Sequence, residues 1–177
     1  MEELSRRLVK VGHAEGRNSS GYSDRVTGEA QTMPVRTALG SDLSELLRLY
    51  RQLQPDDPEL GAAAAASALD VILTAPGMKL LVLPRGERLA ATTYLNVVPN
   101  LTRSASPYAV VENVVVDEPL RGTGIGKLII AATLQAAWDA GCYKAMLFTG
   151  SRCAATHGFY RACGFVGDDK TAYVARP

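Results

Sequence analysis

The spacing of apolar residues divides this chain into a poorly patterned beginning and a strongly patterned remainder. Residues 1 to 32 are rich in Gly, Ser, Arg and Glu, hold one aromatic residue, Tyr22, and offer only Leu4 and Leu8 as the trace of a helical turn. So little apolar surface does not offset the entropy of ordering, and the segment is expected to be a disordered extension. An alternative is that Met33 is the true start and the residues before it are an artefact of the gene model. Arg6, Arg7, Arg17 and Arg25 suggest an organellar transit peptide, but five acidic residues interleaved with them argue against one.

From Met33 the periods become distinct. Pro34 to Thr37 reads as a short strand, and Ser41 can cap a helix to about Leu53, with Leu43, Leu46, Leu47 and Tyr50 at helical spacing. Pro55 and Pro58 end it, and the Ala-rich stretch from 60 to 75 forms a second helix closed by Pro76-Gly77. Lys79 to Leu83 and Leu89 to Val98 are strands joined by a turn at Arg85-Gly86-Glu87. A long strand from about Tyr108 to Val116 follows the Pro99 to Pro107 loop. Next comes a helix over 124 to 139, apolar on most sides and so expected to be largely buried, with Gly141 closing it. Tyr143 to Thr149 is a strand, Cys153 to Cys163 a helix capped by Gly164, and residues 165 to 174 are expected to complete the sheet. No internal repeat is visible.

The junction of the long strand and the helix after it carries the chemistry. Val114-Val115-Val116-Asp117-Glu118-Pro119-Leu120 gives way to Arg121-Gly122-Thr123-Gly124-Ile125-Gly126-Lys127. A Gly-rich turn opening a helix leaves backbone N–H groups unpaired at the positive end of the helix dipole, a ready cradle for anionic oxygens. Arg121 and Lys127 add charge, so a pyrophosphate-bearing ligand is expected here. The nucleoside-triphosphate loop, G-x-x-x-x-G-K-S/T, would need Gly where Arg121 stands and a hydroxyl where Leu128 stands; the dinucleotide fingerprint G-x-G-x-x-G would need Gly in place of Lys127.

What remains, R-G-T-G-I-G, resembles the coenzyme A loop of the GNAT N-acetyltransferase superfamily, Q/R-x-x-G-x-G/A, with Arg121, Gly124 and Gly126 at its specified positions. The resemblance continues in Phe159-Tyr160-Arg161-Ala162-Cys163-Gly164-Phe165, which follows the family's F-Y-x-x-x-G-F signature, and covers about residues 33 to 177. Glu112 to Val116 and Gly141-Cys142-Tyr143-Lys144 look like the glucosamine-6-phosphate acetyltransferases. Pro99-Asn100-Leu101-Thr102-Arg103, followed by Pro107-Tyr108, resembles a widespread bacterial branch of unassigned substrate. The implied fold is a mixed α/β (α+β) acyl-CoA N-acyltransferase domain over residues 33–177. Its central sheet is mostly antiparallel, splayed at the coenzyme-binding strand and flanked by helices on both faces.

The resemblance also implies roles. Acetyl-CoA would be the cosubstrate, held by Arg121, Gly122, Thr123, Gly124, Ile125, Gly126 and Lys127 and by the main chain of Val114, Val115 and Val116. Val114 N–H would lie near the developing oxyanion. Tyr160 would protonate the departing thiolate, a phenol being protonated near neutral pH. Glu112, expected on the same face as Val114 by alternation, would draw a proton from the ammonium of a small amine acceptor, or else orient Arg103 or pair within the sheet. Asn113 is expected to point the other way. Cys153, Thr156 and His157 share a helical stripe with Tyr160, and Cys153 stands where many members have Asn. Acceptor recognition would fall to the first two helices and the 99–107 loop, with Tyr50, Arg103 and Tyr108 available. Members of the superfamily commonly pair, so a homodimer is a further expectation.

Composition narrows the setting. Apolar residues at 47% and charged residues at 21% are ordinary for a soluble globular protein, and a formal net charge of +1 gives no reason to propose nucleic acid or an anionic membrane as partner. Three cysteines, at 142, 153 and 163, make no disulfide framework, and two distant histidines make no zinc site with them, so no metal is expected and a reducing cytoplasm fits. Each cysteine is expected on or beside a buried element without an activating base, which favours direct transfer over an acyl-enzyme. There is no membrane-spanning apolar run, and Leu8-Val9 meets Lys10 too soon for a signal-peptide core. Two other readings stay open: a non-catalytic acyl-CoA sensor, against which Tyr160 and Glu112 argue, and a protein N-terminal or lysine acetyltransferase.

Overall fold

The computed structural model describes residues 34–169 and 171–177. The expectations for residues 1–32, disorder, artefact or transit peptide, lie outside them. The described elements run in the order β1 (Arg36–Thr37), α1 (Leu43–Leu53), α2 (Ala62–Thr74), β2 (Met78–Arg85), β3 (Arg88–Val98), β4 (Tyr108–Val116), α3 (Ile125–Asp139), β5 (Ala145–Leu147) and α4 (Ala154–Ala162). The strands form one sheet in sequence order, antiparallel from β1 to β4, with β5 parallel to β4.

Alternation along β2 shows how the sheet sorts its two faces. Leu80 and Val82 pack with Leu46 and Leu49 of α1 and Leu69 of α2, whereas Leu81 and Leu83 pack with Ile129 of α3. A further apolar cluster joins Leu95, Ala109 and Val111 to Ile130 and Ala137 of α3 and to Phe159 of α4. Helices therefore cover both faces, as expected of the fold. Helix α3 is less buried than its composition suggested. One stripe, Ile129, Ile130, Thr133 and Ala137, is buried, while Leu128 and Trp138 face outward. The only polar member of that stripe is satisfied: Thr133 Oγ1 lies 2.6 Å from Thr93 Oγ1 and donates to the Ile129 carbonyl.

Strand β4 is not regular. Tyr94 pairs with Glu112 but Thr92 pairs with Val115, so β4 carries one extra residue, and Asn113 takes a left-handed φ of 49°. Asn is among the few non-Gly residues that adopt this conformation readily. The bulge reverses the alternation: Val111 faces the α3 cluster before it, and Val114 faces the same cluster after it. Glu112 therefore lies on the opposite face from Val114, beside its cross-strand partner Tyr94, which packs toward α1. The expected shared face is corrected by one residue of backbone.

Two other expectations change. Ser41 does not cap α1. It lies in a 3-10 turn, Gly40–Asp42, where the Asp42 carboxylate accepts from Leu39 N–H at 2.7 Å and grips Arg36 of β1 through both guanidinium nitrogens. Residues 165 to 174 do not complete the sheet among the described residues. Phe165 turns back onto Tyr160, ring centroids 6.1 Å apart, and the chain beyond leaves the three-residue β5 edge with Val166 and Tyr173 exposed. A groove of about 660 Å³, whose lining includes Trp138, Phe148, Tyr160 and Phe165, runs along β5.

Candidate active site

Strands β4 and β5 pair only from Ala109↔Ala145 to Val111↔Leu147. Past Val111 they part, and the parting begins where the bulge begins. In an antiparallel ladder, alternate residues turn both backbone groups to the neighbour. Asp117 N–H donates to the Ala90 carbonyl, so Asp117 and Val115 face β3. Val114 and Val116 then turn their N–H and C=O groups away from β3, into the gap. Of the three valines expected to bind through the backbone, Val114 is free to do so, Val116 only through its N–H because its carbonyl accepts from Arg121, and Val115 is occupied by the sheet.

The loop after β4 is folded by its own residues. Leu120 N–H donates to the Asp117 carbonyl and Arg121 N–H to that of Glu118, while Thr123 Oγ1 donates to the Leu120 carbonyl at 2.6 Å. Gly122 (φ 79°) and Gly124 (φ 93°) are left-handed, a conformation that costs a residue with a side chain roughly 1–2 kcal/mol. The result is that the N–H groups of Gly122, Gly124, Ile125 and Gly126 make no hydrogen bond among the described residues and open at the start of α3. Gly126 serves packing as well: an added Cβ would lie 3.0 and 3.1 Å from two ring carbons of Phe159 and 3.4 Å from Val116 Cγ2. Lys127 is exposed on the first turn. Arg121 is exposed and bends back along the strand end, its Nε donating to the Val116 carbonyl at 3.2 Å.

Helix α4 brings Tyr160 to the same region, stacked beside Phe159 with ring centroids 5.1 Å apart. Burial pushes the phenol above its ordinary pKa, and the Cys163 thiol and Glu112 carboxylate push it the same way, so the ring stays protonated. The Tyr160 hydroxyl makes no hydrogen bond among the described residues. His157 is held by its Nε2 at 2.8 Å from the Ser151 carbonyl. Cys153 caps α4 and is exposed rather than beside a buried element; N–H groups of Ala155 and Thr156 draw its thiol below the usual range.

The acceptor candidates do not all gather. Tyr50 is half-buried against the α1-side core beside Thr92 and Asn113, and burial raises its pKa while those two neighbours act in the opposite direction. Asn113 thus points to the α1 side, like Glu112 and not opposite it. Arg103 and Tyr108 stand at the other end of β4, where Arg103 lies over the Tyr143 ring at 5.9 Å and Lys144 over the Tyr108 ring at 5.5 Å. Among the described residues Glu112 makes no ion pair with Arg103. Three residues went unremarked in the sequence: Arg48, Gln52 and Asp117, which join α1 to the loop. Their signal was present, an acid closing an apolar strand and two polar residues four apart on the helix facing it. Among the described residues no group of three or more His, Cys, Asp or Glu is placed to hold a metal, and no helix is long and apolar enough to cross a membrane.

The sheet splits beside a loop of free N–H groups with Tyr160 nearby, and comparison with known proteins decides the family. The sequence model of the acetyltransferase (GNAT) family matches residues 43–165. The chain belongs to that family. It is 32% identical over 144 residues, 78% of its length and 84% of the relative's, to glucosamine 6-phosphate N-acetyltransferase 1 of Oryza sativa subsp. japonica. The glucosamine 6-phosphate N-acetyltransferase of Trypanosoma brucei brucei is 31% identical over 136 residues, covering 75% of this chain and 88% of that one. Among solved structures, a protein of Agrobacterium tumefaciens classed as an acetyltransferase superposes with a TM-score of 0.77 at 43% identity, over 81% of this chain and 99% of its own. This GNAT protein is an N-acetyltransferase, of a family whose members take acetyl-CoA as cosubstrate.

Proposed function

We propose that this GNAT enzyme, through a catalytic domain of residues 33–177, transfers acetyl from acetyl-CoA directly to the primary amine of a small molecule. The observation that carries the reading is the set of unpaired N–H groups at Gly122, Gly124, Ile125 and Gly126 beside the open backbone of Val114 and the N–H of Val116. The loop N–H groups take the pyrophosphate, with Arg121, Thr123 and Lys127 at its rim, as helix N-termini take anions generally. Val114 N–H faces the thioester oxygen and stabilises the charge that develops there, while Val115 and Val116 continue the strand that seats the pantetheine arm. Glu112 accepts the ammonium proton, directly or through water, and frees the amine to attack. Tyr160, kept protonated by its surroundings, gives its proton to the departing thiolate. The acceptor set is led by amino-sugar phosphates, because both curated relatives are named for glucosamine 6-phosphate.

Calorimetric titration with acetyl-CoA, followed by a thiol-release assay over glucosamine 6-phosphate, aminoglycosides, polyamines, amino acids and peptides, tests this. Binding with thiol release on a small amine is the expected result. Binding without release on any amine would favour the sensor, and release on peptides alone the protein acetyltransferase. No affinity for the coenzyme would remove the donor and the reading with it.

A further inference from the structure

The coenzyme loop is tied to a helix that does not touch it by backbone. Gln52, one residue before the end of α1, uses both ends of its amide on the loop. Its Nε2 donates to Asp117 Oδ1 at 2.8 Å, and its Oε1 accepts from Glu118 N–H at 2.9 Å and from Arg121 Nη2 at 3.5 Å. The carboxylate it meets is fixed from behind. Arg48, one helical turn earlier, donates from Nη1 to the same Asp117 Oδ1 at 2.7 Å and from Nη2 to the Leu89 carbonyl at 2.8 Å. Glu45, a further turn back, holds the Arg48 guanidinium through both oxygens and accepts from Leu89 N–H at 3.0 Å. One stripe of α1 therefore grips the start of β3 and the end of β4 together.

The consequence falls on Arg121. Its Nε is held by the Val116 carbonyl and its Nη2 leans on Gln52, so the guanidinium of the anchor arginine is aimed by a side chain outside the motif. The peptide N–H that begins the loop, Glu118, is bonded to the same amide. Asp117 is 5% exposed, where an unpaired carboxylate would be costly; Gln52 and Arg48 are what allow it to stay charged there.

We propose that Gln52 is a positioning residue for coenzyme binding: with Arg48 and Asp117 it clamps the loop to α1 and aims Arg121, so that the free N–H groups of Gly122, Gly124, Ile125 and Gly126 are presented in a fixed arrangement. The inference rests on the coenzyme reading above and adds a residue the motif does not contain. The clamp is mechanical and visible without ligand, so it can be tested separately. In Gln52→Leu the amide is lost at nearly constant bulk, and the amides of Glu118, Leu120 and Arg121 should exchange with solvent at least several-fold faster in the ligand-free protein. The same variant should bind CoA about tenfold more weakly, the effect of losing roughly one net hydrogen bond to a charged group. KM for acetyl-CoA should rise in parallel, and kcat at saturating coenzyme should stay within about twofold of the parent because Gln52 touches no reacting atom. Arg51→Ala on the next residue removes only a solvent-facing pair with Glu59 and should leave CoA affinity unchanged.

Unchanged exchange at those amides would overturn the clamp, and so would faster exchange with CoA affinity intact. Equal weakening in Arg51→Ala would overturn it too, since the effect would then belong to the helix and not to Gln52. Failure of the parent protein to bind CoA would instead sink the coenzyme reading, an outcome told apart by the parent's own titration.

Discussion

At the scale of single residues, the proposed reaction divides its proton work between two side chains. Burial is the largest influence on the Tyr160 phenol and raises its pKa, with Cys163 and Glu112 adding in the same direction, so the group holds its proton through neutral pH. A proton donor to a thiolate needs that state. Replacing Tyr160 by Phe should cut kcat by about a hundredfold, the lower part of the usual range for a general acid, with CoA affinity little changed. An unaltered kcat would take Tyr160 out of the chemistry. The proposal gives Glu112 the other end of the reaction, so Glu112→Gln should lose activity most at neutral pH and regain it as pH rises, because the amine then sheds its own proton. A loss equal at every pH would discredit the base role. The sequence named both residues by motif and by strand position. What it misjudged was the face of Glu112, because alternation holds only while the strand stays regular, and Asn113 breaks it.

At the scale of elements, the same bulge explains why strands were legible and their consequences were not. Leu89 to Val98 and Tyr108 to Val116 could be read from β-branched runs, and the structure gives Arg88–Val98 and Tyr108–Val116. The extra residue in β4 leaves no hydrophobic signature beyond an Asn, yet it sets where β4 and β5 separate. Helix α3 shows the converse limit: apolar residues all round suggested burial, but only the stripe through Ile129 and Thr133 meets the sheet. The seam between α3 and α4 is closed by the lack of a side chain at Gly126, where a Cβ would approach the Phe159 ring to 3.0 Å. Gly126→Ala should therefore shift α4 and cost roughly 1–3 kcal/mol of stability, as overpacking does. Chemical denaturation reads this as a lower midpoint at constant slope; an unchanged midpoint would mean that Phe159 moves aside freely.

At the scale of the whole molecule, three carboxylates fasten the first helix and its lead-in to the sheet. Asp42 is held below the usual range first by its hydrogen bond from Arg36, and Glu45 first by that from Arg48. Burial works against ionisation of Asp117, but the hydrogen bonds from Gln52 and Arg48 and the charges of Arg48 and Arg88 outweigh it, so its pKa is lowered too. A carboxyl with a depressed folded-state pKa binds its proton more weakly when folded than when unfolded. The stability it contributes is complete above the unfolded value, about 4 for Asp and Glu, and disappears as pH falls through the lower, folded value. Thermal stability should thus be nearly flat from neutral pH to about pH 5 and fall steeply below about pH 4. Asp117→Asn lacks the charge that Arg48 and Gln52 hold, so its Tm should lie below the parent's at neutral pH, with the gap narrowing as acid protonates Asp117 in the parent. A gap of constant size from pH 7 to pH 3 would show that the charge on Asp117 contributes nothing and that only the shape of the side chain matters.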